Sequence, residues 1–199
     1  MYAPIVDSTR NRLIDAAAQL LDEGGPSAVT LREVGRLAGV SHNAPYKHFT
    51  DKQELLAAVA ARELTHHDTA MQALAAEHPP AEVLRAMMHG YLDWAARYPA
   101  RFKLTFGPWS NDSPELAAAA TAARTALIEA VANAQRSGAI PAGNPERTAA
   151  LLQATAHGAA DLALAGHLSP HGKGRATPGD LIEDLFRYMR SSTAPPPAP

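Results

Sequence analysis

Apolar residues recur every three to four positions along almost the whole chain, the spacing of helices that bury one face. Leu13, Ile14, Ala17 and Leu21 set the first stripe, and Gly24, Gly25 and Pro26 stop it. Thr30 and Glu33 form a capping box for a second, short helix presenting Leu31, Val34 and Ala38 on one face. Gly39 ends that helix, Val40 is suited to plug the interior, and Ser41 is placed to cap a third short helix. That helix carries His42, Asn43, Lys47 and His48 beside the inward candidates Tyr46 and Phe49. Thr50 and Gln53 make a second capping box, after which Leu55, Leu56, Val59, Leu64, Met71 and Leu74 extend helical spacing to the break at Pro79 and Pro80. At about 1.5 Å per residue this fourth helix spans roughly 40 Å.

Val83, Leu84, Met87, Met88, Tyr91 and Trp94 predict a helix over 80–98, with a short one at 102–106. Ser113-Pro114, Asn144-Pro145 and Thr177-Pro178 each put a capping residue before a proline at the first helical position, predicting helices over 114–137, 145–166 and 178–192. No segment reads as a strand. The expectation is an all-α chain of about nine helices. An N-terminal three-helix, helix-turn-helix DNA-binding domain (8–53) has a core of Leu13, Ala17, Leu21, Leu31, Val34, Val40, Tyr46 and Phe49. A larger helical ligand-binding and dimerisation domain (54–192) follows, and the proline-rich tail, 193–199, is expected to be disordered.

Thr30, Leu31, Val34, Gly39, Val40, Ser41, Tyr46, Phe49, Lys52, Leu55 and Leu56 stand in an order and spacing that resembles the tetracycline-repressor-like (TetR) family. The resemblance covers about the first quarter of the chain. It implies an all-helical regulatory domain behind the reader, commonly homodimeric and commonly binding a small molecule that weakens operator binding. Asn43, Ala44 and Pro45 depart from the family's glycine, hydroxyl residue and aliphatic residue at those places. His157-Gly158 also resembles a subclass with a Trp and then a His-Gly pair in its eighth helix, although Gln153 stands where the Trp belongs.

At 199 residues the chain makes one large or two small domains. It has no cysteine, which excludes disulfides and thiolate metal sites. No charged-then-apolar leader and no apolar run of ~20 residues stand out, so the expectation is a cytoplasmic protein without a membrane partner. Net charge is −2, and residues 1–53 hold six Lys and Arg against six Asp and Glu. A DNA binder is expected to be basic. The distribution counts for more than the sum, because Lys47 and Lys52 lie in the reader and helix N-termini offer unpaired N–H groups to phosphates.

A helix entering the major groove meets bases with its N-terminal side chains, while its flanks hold phosphates. His42, Asn43 and Ala44 are therefore the base-edge candidates: Asn bonds adenine N6 and N7, His donates to guanine, and the Ala methyl meets a thymine methyl. Thr30, Ser41, Tyr46, Lys47, His48 and Lys52 are the backbone candidates. Alone, Lys47 or Lys52 reads as a solvated charge; the motif reverses that reading. One short helix covers few base pairs, so two must be held about 34 Å apart on palindromic double-stranded DNA. Leu151, Leu152, Thr155, Ala159 and Leu162, with Leu181, Ile182, Leu185, Phe186 and Met189, offer two apolar stripes for such a homodimer, or for intrachain packing. Met87, Met88, Tyr91, Trp94, Phe102, Phe106 and Trp109, with His157, are the effector-site candidates; singly, each suits an ordinary core. His66 and His67 are adjacent on a helix and make a poor chelate, and neither they nor His167 and His171 belong to an HExxH or carboxylate-histidine spacing, so no metal, cofactor or catalytic machinery is expected. The sequence thus points to a homodimeric regulator, most simply a repressor, released from its operator by an unidentified small molecule bound between the fifth to eighth helices. The alternative is a helical small-molecule sensor or carrier that has lost operator binding.

Overall fold

The computed structural model describes residues 8–109 and 112–191, so the 193–199 tail expected to be disordered lies outside the described residues. Among them the chain is all-helical: α1 (Thr9–Ala28), α2 (Leu31–Leu37), a 3₁₀ turn (Pro45–Lys47), α3 (Lys52–Glu77), α4 (Pro80–Arg97), α5 (Pro99–Thr105), α6 (Pro114–Arg136), α7 (Pro145–Leu164) and α8 (Pro178–Ser191). The predicted nine helices become eight because the short one after Ser41 is not α-helical.

The helices divide into two compact units. The first comprises residues up to Thr65 together with 98–121. Its α1 starts on Ser8, whose hydroxyl accepts from the Asn11 N–H at 3.2 Å. The helix is interrupted at Gly25, whose φ of +69° only glycine adopts freely, before a last turn at Pro26. Leu13, Ile14, Ala17, Ala18 and Leu21 are buried against Val29, Val34, Phe49, Leu55, Leu56 and Val59. α5 packs on α1 and supplies Phe102. Arg101 ties three helices at this seam: its guanidinium donates to Asp22 of α1 at 3.0 Å and to the buried Glu63 of α3 at 3.0 Å, and it lies 4.3 Å from the Tyr98 ring centroid. Burial opposes the charge on Arg101, but the Asp22 hydrogen bond and the charge of Glu63 outweigh it and hold the guanidinium protonated.

The second unit comprises 66–97 and 122 onward. Here α4 packs on α7 and α8, and α7 on α8. The predicted starts hold: Asn144 Oδ1 accepts from the Arg147 N–H at 2.9 Å, while Thr177 and Asp180 cap each other reciprocally at 3.1 and 2.7 Å. Ser113 does the same for α6 in the first unit, accepting from Leu116 at 3.3 Å. Glu183 of α8 receives both the Arg85 guanidinium and His89 Nε2, the latter at 2.8 Å, fixing α8 to α4. These contacts, led by the His89 hydrogen bond, hold the Glu183 carboxyl below the usual carboxylate range.

The cap of α3 lies one residue later than the sequence indicates. Asp51, not Thr50, accepts from the first turn, at 2.8 Å from the Glu54 N–H. Glu54, not Gln53, reaches back and accepts from both the N–H and the hydroxyl of Thr50 at 2.7 Å. A carboxylate at the positive end of a helix is favoured over a neutral hydroxyl. The Thr50 hydroxyl, then its N–H, lowers the Glu54 carboxyl below the usual range.

Two outcomes follow for urea denaturation. Asp51→Ala costs about 1 kcal/mol of stability at neutral pH, the usual loss for an N-cap. Because the Glu54 carboxyl is more acidic folded than unfolded, its contribution is complete above the ordinary carboxylate range and disappears as pH falls through its folded pKa. Glu54→Gln therefore lowers stability at pH 7 and costs progressively less as pH falls below the ordinary carboxylate range; a loss that does not shrink with falling pH would refute the assignment.

Candidate nucleic-acid interface

The reader is set by how α2 ends. Thr30 Oγ1 accepts from the Glu33 N–H at 3.2 Å to start the helix, but Glu33 turns to Arg36 at 2.8 Å instead of completing the box. Gly39 takes φ +65°, letting the Val40 N–H return to the Gly35 carbonyl at 3.1 Å. The Arg12 guanidinium, from α1, then donates to the carbonyls of Ala38 and Gly39 and seals the helix end.

Beyond Ser41 the chain makes a turn in which the Ser41 carbonyl accepts from the Ala44 N–H at 2.9 Å. A 3₁₀ turn follows, and its N-terminal residue Ala44 makes no side-chain cap, so Ser41 does not cap a helix. Pro45 explains this geometry: it has no N–H to donate to a preceding turn, and its ring is buried. A β-carbon on Gly35 would lie 2.8 Å from Pro45 Cγ, so the ring occupies space that only a glycine on α2 leaves open. The N–H groups of His48 and Phe49 both return to the Pro45 carbonyl at 3.0 Å.

With Pro45 and Phe49 taking the inward places, the flanking side chains point out. His42, Asn43, Lys47 and His48 are exposed, as are Thr30 and Ser41; Ala44 is half-buried. Tyr46 is 53% exposed, correcting its placement in the core; its ring meets that of His42 edge-on at 6.1 Å. Leu31 and Val40 are partly buried against the same cluster.

Most cations of the first unit are already engaged. Arg10 stacks 5.3 Å from the Phe49 ring centroid and pairs with Glu115, Arg62 pairs with Asp15, and Arg36 with Glu33. Lys52 donates to the Pro26 carbonyl, tying α3 to the kinked end of α1 and engaging one of its three N–H donors. Arg32 and Lys47 are exposed and enter no ion pair among the described residues. Sequence reasoning missed the Gly35–Pro45 contact, the Arg12 seal and Arg32. Glycine ten residues before a proline was a visible signal for the first of these; nothing local announces the second.

The effector-site candidates are distributed over both units. Phe102 is buried and Phe106 half-exposed in the first, their rings 5.7 Å apart, and Trp109 packs there against the α3 alanines. In the second unit Tyr91 Oη lies 2.8 Å from His157 Nδ1, and burial pushes the Tyr91 hydroxyl well above its ordinary pKa. Trp94 is buried between Tyr91 and His67, the latter at 4.7 Å edge-on, and Met88 is buried. Met87 alone among the candidates lines an open cleft of about 160 Å³, formed by α3, α4 and α6. Its polar lining is Asp68, Gln72, His78, Glu129 and Asn133, with no Phe, Tyr or Trp.

The two C-terminal stripes have an inner and an outer side. Leu152, Ala159, Ile182 and Phe186 are buried in the chain's own core, as the intrachain-packing alternative has it. α4, α7 and α8 pack together here, and the Arg85 guanidinium of α4 lies 5.1 Å from the Phe186 ring centroid. Leu151 and Leu162 are exposed at 50% and 47%, with Tyr188 also exposed, while Thr155, Leu181, Leu185 and Met189 are half-buried.

Residues 13–59 match a family model described as bacterial regulatory proteins, tetR family, and residues 84–189 match one described as tetracyclin repressor-like, C-terminal domain. The chain is 29% identical over 126 residues to the helix-turn-helix transcriptional activator FasR of Mycolicibacterium smegmatis, covering 63% of this chain and 58% of that protein. It is 34% identical over 120 residues to a helix-turn-helix transcriptional repressor of Mycobacterium tuberculosis, covering 56% and 62%. Across the curated relatives it matches, the chain spans 26% to 62% of their length. A solved structure from Rhodococcus sp. RHA1, described as a protein with unknown function, aligns over 98% of this chain and 100% of that one at 28% identity with a TM-score of 0.78.

Gly35→Ala forces Pro45 off α2 and is expected to cost about 1–3 kcal/mol in urea denaturation, the range for overpacking a filled site. The double variant with Pro45→Ala recovers most of that loss, since the partner ring is gone. Strictly additive losses would show that the two residues do not meet.

Proposed function

With more than half of its residues matched by one of its models, the chain belongs to the tetracycline-repressor-like (TetR) family of bacterial regulators, and on that premise we propose that it is a ligand-responsive, homodimeric DNA-binding transcriptional regulator acting as a repressor. The observation that carries the reading is the solvent-facing polar edge of His42, Asn43, Tyr46, Lys47 and His48, backed by the buried Pro45. In this reading residues 8–53 form the DNA-binding domain, and 54–192 the ligand-binding and dimerisation domain. His42, Asn43 and Ala44 face base edges. Tyr46, Lys47 and His48, with Ser41 and Thr30, hold the sugar-phosphate backbone, and Lys52 uses its remaining donors there. Arg32 joins them as a phosphate contact.

Self-association uses the outward side of α7 and α8, where Leu151, Leu162 and Tyr188 are exposed apolar or aromatic groups. It sets two readers on successive turns of a palindrome, about 34 Å apart. A small molecule in the second unit favours the state with the lower DNA affinity, which is all that release requires.

The test is a salt-titrated anisotropy assay on duplex DNA from upstream of the chain's own gene. Lys47→Ala is expected to weaken every sequence alike and to reduce the slope of log K against log salt by about one per reader. Asn43→Ala is expected to cost about 1–3 kcal/mol and to relax preference at one base position per half-site. Binding left intact in both Tyr46→Ala and Lys47→Ala would remove the assigned edge, and no sequence-specific binding at all would favour the sensor or carrier.

A further inference from the structure

We propose that the cleft formed by α3, α4 and α6 in the second unit takes a small organic cation, an amine with a short apolar body. The proposal rests on the effector reading above and gives that effector a chemical class.

One stripe from each helix builds the cleft. Val83 and Met87, one turn apart on α4, face Ala126 and Ala130, one turn apart on α6. The alanines carry nothing beyond Cβ, so the floor is apolar and unfilled. A water occupies about 30 Å³ of liquid, and the cleft, at about 160 Å³, suits a molecule of several heavy atoms.

Charge on the rim selects the head group. Asp68 enters from α3 and Glu129 from α6. Asp68 accepts only from the neutral Gln72 amide, at 3.0 Å, and neither carboxylate has a Lys or Arg partner among the described residues. His78, also in the lining, lies 3.5 Å from the Glu82 carboxylate, and the Arg136 guanidinium donates to Asn133 Oδ1. An anionic head group would meet two carboxylates here. A neutral apolar ligand would strip water from them without replacing its hydrogen bonds. An ammonium supplies three donors and the compensating charge while its chain covers Val83 and Met87.

The experiment is calorimetric titration of the full chain with n-hexylammonium, 1-hexanol and hexanoate, which share a chain and differ in the head. Hexylammonium is expected to bind most tightly. Glu129→Gln and Asp68→Asn, both at solvent-accessible positions, each weaken it by about three- to tenfold, the range for one charge-assisted contact in a partly screened site. Ala130→Leu fills the floor and abolishes binding with the charges intact. Hexanoate binding as tightly as hexylammonium, or ammonium affinity unchanged in both Glu129→Gln and Ala130→Leu, overturns the proposal. Running the DNA assay alongside separates the two readings. Amine binding with this residue dependence but no change in DNA affinity upholds the ligand class and sinks the effector role. A chain that holds DNA but binds no amine sinks the ligand class and leaves the regulator standing.

Discussion

Everything about the reader's surface depends on the place where the Pro45 ring lies against the bare α-carbon of Gly35. This contact does the work that a full recognition helix would do by continuing its hydrogen-bond ladder. Proline cannot join the ladder, so the backbone tightens into a 3₁₀ turn, and two consecutive N–H groups, His48 and Phe49, close on the Pro45 carbonyl. Phe49 follows into the interior beneath Arg10. Once those two places are filled, His42, Asn43, Tyr46, Lys47 and His48 have nowhere to go but out. The departure from the family pattern at 43–45 thus changes how the edge is held, while leaving it presented.

The electrostatics reconcile a neutral segment with a polyanionic partner in the same way. Formal charge counts every cation equally, whereas the fold does not. Arg12 is bound to carbonyls at the end of α2, Lys52 to the Pro26 carbonyl, and Arg10, Arg36, Arg62 and Arg101 to carboxylates of their own unit. Asp15, Asp22, Glu33, Glu63 and Glu115 are the partners of these arginines, so they neutralise the scaffold and not the reading edge. Arg32 and Lys47 remain outward, with the two imidazoles beside Lys47. Net charge is a poor guide when the charges of one sign are mostly internal ties.

What was legible in the sequence was local. Thr30, Ser113, Asn144 and Thr177 announce helix starts because a cap and the turn it satisfies lie within four residues, and Gly39 announces a stop because its φ is positive. The cap of α3 was missed by one place because Thr50 and Asp51 both suit it, and the choice turns on which carboxylate, Glu54, can reach back. Tyr46 was misplaced because helical periodicity was projected through a proline. Tertiary partners were not legible at all: no spacing rule links Arg101 to Asp22 and Glu63, or Tyr91 to His157. The aromatic effector candidates divide between the two units for that reason, since size alone does not say which unit Phe102 or Tyr91 joins.

A ligand moves an equilibrium only through a difference in its affinity for the two states. That condition says where in this chain an effector could act. α3 is one unbroken helix of 26 residues whose first part carries Leu55, Leu56 and Val59 in the core beneath the reader, and whose later part carries Asp68 and Gln72 at the cleft. On the proposed reading the ligand acts through this helix, whose hydrogen-bond ladder resists internal compression. At its start sit the Asp51 cap, the Glu54 bridge and the Lys52 tie to Pro26, all small polar contacts at the protein surface. Contacts of that kind contribute on the order of 1 kcal/mol each, comparable to the 1–3 kcal/mol of a typical allosteric coupling. On the proposed reading the coupling is reciprocal: whatever factor by which an occupied cleft weakens the hold on DNA, bound DNA weakens the hold on the ligand by the same factor. On that reading Asp51 and Glu54, which touch neither ligand nor DNA, are where a substitution would change that factor.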